Sequence, residues 1–128
     1  MTASSAPMAE LARLLAAIVA AAEQSPGVDS YEDLLIELLG LLRSGRLARA
    51  EATLPLRTLV SEWPPGAPEI LEFTMHELRW PEIRGALEDH RVHGADFRTR
   101  DLAAQVLQAF EDEWPEGDIY RTYRVGEQ

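Results

Sequence analysis

Cysteine, lysine and asparagine are all absent from this 128-residue chain, and each absence removes chemistry. Without cysteine there is no disulfide framework, no thiolate metal site and no thiol nucleophile, which fits a reducing, cytoplasmic setting. Without lysine there is no Schiff base and no phosphate-loop lysine, and all 12 basic residues are arginine. The missing lysine and asparagine share AT-rich codons, so their joint absence points to a GC-rich genome rather than to function. No Gly-x-Ser-x-Gly occurs, and the serines fall at termini, turns and caps. No catalytic residue and no cofactor is expected, and the chain reads as non-enzymatic.

Positive charge is also scarce. Twenty-two acidic residues against 12 arginines leave a net charge of −10. Such a surface repels nucleic acid and anionic membranes, so the expected partner is another protein, with the chain a monomer or homodimer. No apolar run is long enough to span a bilayer. Leu14 to Ala22 has the length of a signal core, but Glu10 and Arg13 precede it, so it reads as a helix of the mature protein.

What is present is mostly leucine and alanine at helical spacing, with 46% hydrophobic and only 7% aromatic residues. Residues 1–7 read as a frayed end. Met8, Leu11, Leu14, Leu15, Ile18, Val19 and Ala22 form one apolar stripe, stopped by Pro26-Gly27. Ser30 with Asp33 makes a capping-box-like start for a second helix, apolar nearly all round from Leu34 to Leu42 and therefore expected at the centre of the core. A third helix runs from Arg46 to Trp63, with a kink or break near Ala52 caused by Pro55. Pro68 opens a fourth carrying Ile70, Leu71, Phe73, Met75 and Leu78. Trp80-Pro81 ends or kinks it into a fifth that reaches about His90, and Asp96 caps a last helix to about Trp114. Ile119 to Val125 is β-branched and aromatic, so the end of the chain is expected as a short extended tail packed on the body or across a dimer. The expected architecture is a single all-α domain over 1–128, with five to six helices as antiparallel hairpins in a bundle or short solenoid and a tail over 118–128.

Trp63, Trp80 and Trp114 all precede proline, which marks three helix boundaries. Leu56 to Gly66 also aligns with Leu107 to Gly117, sharing Leu, Glu, Trp, Pro and Gly in order, either as an internal repeat or as convergence on one helix exit. Leu39-Gly40, Ala52, Leu56, Leu59 and Pro64 fall on spacings that resemble a tetratricopeptide-type helical hairpin, although Arg43 replaces an aromatic, Gly45 is out of step and Pro55 interrupts the second helix. Asp96-Phe97-Arg98-Thr99-Arg100 with Ala103, Ala104 and Leu107 is similar to the second helix of a HEAT-type repeat. Both families are recognition scaffolds, so the resemblance implies a binding role without naming the partner.

Three groups of side chains qualify as candidate sites. Glu72 and His76 share a helix face, and His90 and His93 cluster with Asp89 and Asp96 near a helix end. Histidine with carboxylate at such spacing suits zinc or another divalent ion, which supports an alternative reading as a small metal-binding protein or metal-dependent enzyme. Exposed imidazoles at a helix C-terminus explain the same residues without metal. Arg43, Arg46 and Arg49, with Arg57 beyond, make a basic stripe best read as ion pairs to neighbouring helices, since no aromatics interleave. Tyr120, Arg121 and Tyr123, with Trp63 and Trp114, are types enriched at interaction hot spots. The leading functional expectation is therefore a non-enzymatic helical protein–protein interaction module, of an acidic inhibitor, immunity or adaptor kind, that uses a groove between hairpins.

Overall fold

A computed structural model describes residues 5–24 and 27–124. Six α-helices follow one another: α1 (Ser5–Gln24), α2 (Glu32–Arg43), α3 (Arg49–Glu62), α4 (Ala67–Leu78), α5 (Pro81–His93) and α6 (Phe97–Leu107). Short 3₁₀ turns precede α2 at Val28–Ser30 and carry the chain after α6 at Gln108–Phe110, Pro115–Ile119 and Arg121–Tyr123. The described residues contain no strand. The fold is all-α, as the leucine and alanine periodicity requires. No helix is long and apolar enough to cross a membrane among the described residues.

The boundaries show which local signals acted. Asp96 caps α6 by accepting the Thr99 N–H at 2.8 Å. Ser30 does not cap α2: it sits in the 3₁₀ turn and donates its hydroxyl to the Gly27 carbonyl, so Tyr31 takes the cap position without a side-chain bond. Pro55 does not break α3, which is continuous from Arg49 to Glu62. The cost is confined to one missing N–H for the Glu51 carbonyl, and the apolar face of Ala52, Leu56, Leu59 and Val60 holds the helix in place. Trp80 separates α4 from α5 as the N-cap of α5. Of the expected frayed end, residues 1–4 lie outside the described residues, as does Pro26, while α1 already includes Ser5–Pro7.

Trp63 and Trp114 leave their helices differently. Trp63 adopts the left-handed conformation (φ 50°) directly after α3 and Gly66 follows at φ 84°. α6 ends at Leu107, seven residues before Trp114, whose backbone lies at φ −143° and ψ 80°. Gly117 is required for another reason: a Cβ there would stand 2.5 Å from the Trp114 ring. The shared letters thus encode two backbone geometries.

α4 is the central element, rather than α2. Its residues Ala67, Ile70, Leu71, Glu72, Phe73, Thr74 and Met75 are all buried, because α2, α3, α6 and the Gln108–Phe110 turn pack around it. α2 buries Leu35, Leu38, Leu39, Leu41 and Leu42 against α1 and α4, yet leaves Ile36 46% exposed. Its all-round apolar character is broken on that one side. Chain neighbours α1 and α2 pack together, as do α5 and α6, whereas α2 makes its main contacts with α1 and α4 rather than α3.

Leu38 is fully buried and Leu42 is nearly so. Leu38→Ala and Leu42→Ala are each expected to cost about 2–5 kcal/mol, read from chemical denaturation with unchanged slope. Losses below about 1 kcal/mol at both would place the core elsewhere.

Candidate functional site

The C-terminal segment is where the polar interior lies. It is not extended. With no strand among the described residues to pair with, residues 114–124 make 3₁₀ bonds of their own, Gly117 to Trp114, Tyr120 to Gly117 and Tyr123 to Tyr120. Three-residue spacing in such turns stacks side chains on one side. Tyr120 and Tyr123 therefore face the body together while Ile119, expected inward in a strand, is 51% exposed. Val125 lies outside the described residues.

The body meets this segment with two buried glutamates. Glu32, at the start of α2, is fully buried and accepts the backbone N–H of Arg121 (2.9 Å), the N–H of Thr122 (2.8 Å) and the Thr122 hydroxyl (2.8 Å). Burial pushes its carboxyl up, but these donors and the Arg121 charge outweigh that and hold it below the ordinary 4.5. Glu72, 3% exposed on α4, accepts from the Tyr120 hydroxyl at 2.9 Å and from Gln105 Nε2 of α6 at 2.8 Å. Here burial dominates and raises the carboxyl despite both donors, with Glu69 and Glu116 adding repulsion. Tyr123 donates to the Phe73 carbonyl at 2.6 Å. Burial raises both tyrosine hydroxyls as well, so each remains a protonated donor.

Around these bonds five rings converge. Phe73, His76, Trp114, Tyr120 and Tyr123 stand with centroids 4.8–6.1 Å apart, mostly tilted or edge-on. His76 donates Nδ1–H to the Ala109 carbonyl at 2.7 Å. The assignment follows from the partner, since a carbonyl only accepts.

The structure does not gather the four candidate metal ligands. Glu72 is closed in by Tyr120 and Gln105, and His76 belongs to the aromatic cluster at a cavity beside the tail. His90 bonds the Ala86 carbonyl at 3.2 Å within α5 and lines a different groove, and His93 pairs with Asp89 at 3.2 Å. Among the described residues no three His, Asp or Glu side chains are placed to hold an ion. The candidate interaction residues are largely spent inside the chain: Tyr120, Trp63 and Trp114 are buried, Tyr123 is half-buried, and only Arg121 is exposed.

The arginine stripe is neutralised by neighbouring helices. Arg46 pairs with Glu10 of α1 at 2.9 Å and Arg43 approaches Glu77 of α4 at 4.0 Å. Arg49 grips Glu82 of α5 in bidentate fashion (2.7 and 2.8 Å) and lies over the Trp80 ring. The acidic run from Glu111 to Asp118 lies in bends and 3₁₀ turns beyond α6, so it does not oppose that helix's dipole.

Sequence reasoning missed Glu32 and Gln105. Glu32 did carry a signal, being in register with Leu35, Leu39 and Leu42 on the core-facing stripe of α2. No protein-family profile, curated protein or solved structure matches the chain.

The two glutamates give opposite pH signatures. Glu32 has a lowered folded value, so its contribution is present above about pH 4.5 and is lost as pH falls through the folded value. Glu32→Gln is expected to lower Tm at pH 7 and to converge on the wild type in acid. Glu72 has a raised folded value, so its contribution fades as pH rises above 4.5. Glu72→Gln, which imitates the neutral carboxyl, is expected to gain on the wild type as pH rises above 4.5. Thermal melts of the three proteins from acid to neutral pH check both, and parallel curves would refute the assignment. Truncation after Gly117 exposes both carboxylates and is expected to lower Tm without changing the association state in sedimentation. An unchanged Tm would show that the tail is not part of the fold.

Proposed function

We propose that the chain is a non-enzymatic helical protein–protein interaction module, of an acidic inhibitor or adaptor kind, that receives its partner in a groove between α3 and α5. One observation carries the reading: Leu54 of α3 is 64% exposed on the lining of that groove. A leucine left in water beside a concave surface gains by being covered, at about 25 cal/mol per Å² of apolar area.

The groove encloses about 500 Å³. It exists because Gly85 and Ala86 present almost no side chain on α5, while Leu54, Arg57 and Ser61 recur on one face of α3. Asp89 and His90 close the α5 side. A floor of small residues between two helical walls suits the ridge of a third helix. The net charge of −10 favours a basic partner.

The test compares capture from native lysate at physiological salt by the wild type and by Leu54→Asp, whose side chain is exposed and whose Tm is expected to be unchanged. A stoichiometric partner bound by the wild type and weakened about 10- to 100-fold by Leu54→Asp supports the groove. No partner, or equal binding by both proteins, overturns it. Affinity for that partner is also expected to fall as salt rises, and an affinity insensitive to ionic strength would remove the basic-partner version.

A further inference from the structure

The two walls of the α3–α5 groove sit in a fixed register. α3 and α5 pack side by side, and the bidentate Arg49–Glu82 pair joins their first turns. The groove lining advances along both helices from that end, so they run in the same direction. At a rise of 1.5 Å per residue, Leu54 lies about 7.5 Å along α3 from that pair and Ala86 about 6 Å along α5. Arg57 lies about 12 Å along α3 and Asp89 about 10.5 Å along α5. Two levels follow. At the first an exposed leucine stands across from Gly85 and Ala86, and at the second an exposed arginine stands across from an exposed aspartate.

Gly85 shows that the first level is unfilled. A glycine inside a helix weakens it, and the usual compensation is a close approach by another group of the chain. Here there is none: a Cβ built on Gly85 meets no atom within 4 Å among the described residues. The space over Gly85 and Ala86 is open, while Leu54 at the same level is 64% exposed. The surface thus carries a hole without a knob beside a knob without a hole. Its charges repeat the arrangement. Arg57 forms no ion pair among the described residues, and Asp89 has only the exposed His93 at 3.2 Å.

Neither match closes within one chain, but one symmetry operation closes both. A two-fold axis laid along the groove exchanges its sides, so that α3 of each copy lies over α5 of the other at the same level. Leu54 then enters the space over Gly85 and Ala86 of the other copy, and Arg57 meets its Asp89. An unrelated partner has to supply an apolar ridge, a small-residue recess, an anion and a cation in this register. A second copy has all four by symmetry.

We infer that the α3–α5 groove is a self-docking surface, on which two copies of this chain pair about a two-fold axis with Leu54 on Gly85 and Ala86 and Arg57 on Asp89. The inference rests on the reading of this groove as a docking face and names what covers it in the isolated chain. The net charge of −10 on each copy opposes their approach, so the pair is weak.

Sedimentation equilibrium of the purified full chain, from about 1 μM to 1 mM, tests the pairing with no other protein present. A monomer–dimer equilibrium is expected, with Kd on the order of 10–100 μM. Leu54, Arg57, Gly85 and Asp89 are all exposed, so their variants are expected to keep the wild-type Tm or, at Gly85, to exceed it. Gly85→Leu fills the recess and is expected to weaken the dimer at least about tenfold, as are Arg57→Glu and Asp89→Arg. Asp89→Arg makes the chain less acidic, so net repulsion alone would tighten the dimer, and only the Arg57 contact weakens it. The two charge variants are each like-charged across the axis, whereas an equimolar mixture of them restores both ion pairs. That mixture is expected to recover wild-type association. A chain that stays monomeric to about 1 mM overturns the inference and leaves the capture of a basic partner from lysate to stand or fall by itself. A dimer undiminished by Gly85→Leu, or two charge variants that do not recover on mixing, places the contact elsewhere and overturns it too.

Discussion

A carboxylate taken out of water has to be given donors, and this fold buries two of them, Glu32 and Glu72. Left unpaired, each would cost several kcal/mol. Among the described residues the helical body supplies only one of the donors they use, Gln105 Nε2. The others come from Tyr120, Arg121 and Thr122, at the far end of the chain. The C-terminal segment is therefore structural. It closes the polar interior between α2, α4 and α6, and the helices are complete only when it is seated.

The aromatic cluster follows from that seating. Anchoring residues 120–122 sets Tyr123 against Phe73 and His76, while Gly117 brings the chain back over the Trp114 ring at a distance no side chain would allow. The rings gain packing from one another, and their hydroxyl and imidazole protons are drawn inward to the Glu72 carboxylate and to the carbonyls of Phe73 and Ala109. The Trp114 indole N–H, by contrast, is buried without an acceptor among the described residues.

Much of the helical frame was legible in the sequence, because it depends on local rules. Helical periodicity, the Asp96 cap, the Trp63 and Trp80 boundaries and the pairing of Arg46 and Arg49 with other helices all follow from spacing and charge, whereas α6 stops at Leu107 and not near Trp114. The failures have one physical origin, long-range context. Pro55 did not break α3, since a buried apolar face outweighs one lost backbone bond. Ile119 to Tyr123 did not extend, since the described residues hold no partner strand and Glu32 supplied acceptors for the very N–H groups a strand would have needed to pair. Glu72 was visible as a carboxylate inside a helix of buried residues, an arrangement that demands donors. Nothing local tells that they stand at positions 105 and 120, so it was weighed as a metal ligand instead.

The two concave surfaces divide the chain's charge between them. Arg43, Arg46 and Arg49 are committed to glutamates on α4, α1 and α5, and Arg79 to Asp112. Arg57 has no ion pair among the described residues and lines the α3–α5 groove. The groove is thus one place where an acidic protein offers positive charge next to an exposed leucine. In the proposed reading a helix docked there meets an apolar contact at Leu54, the Arg57 cation of α3 and the Asp89 carboxylate of α5. At the tail, by contrast, Glu113 and Asp118 add negative charge. The partner proposed above, basic overall, would be drawn in by the field of the whole molecule. An acidic partner would be repelled by that field, so in the proposed reading the net charge discriminates between partners of similar shape.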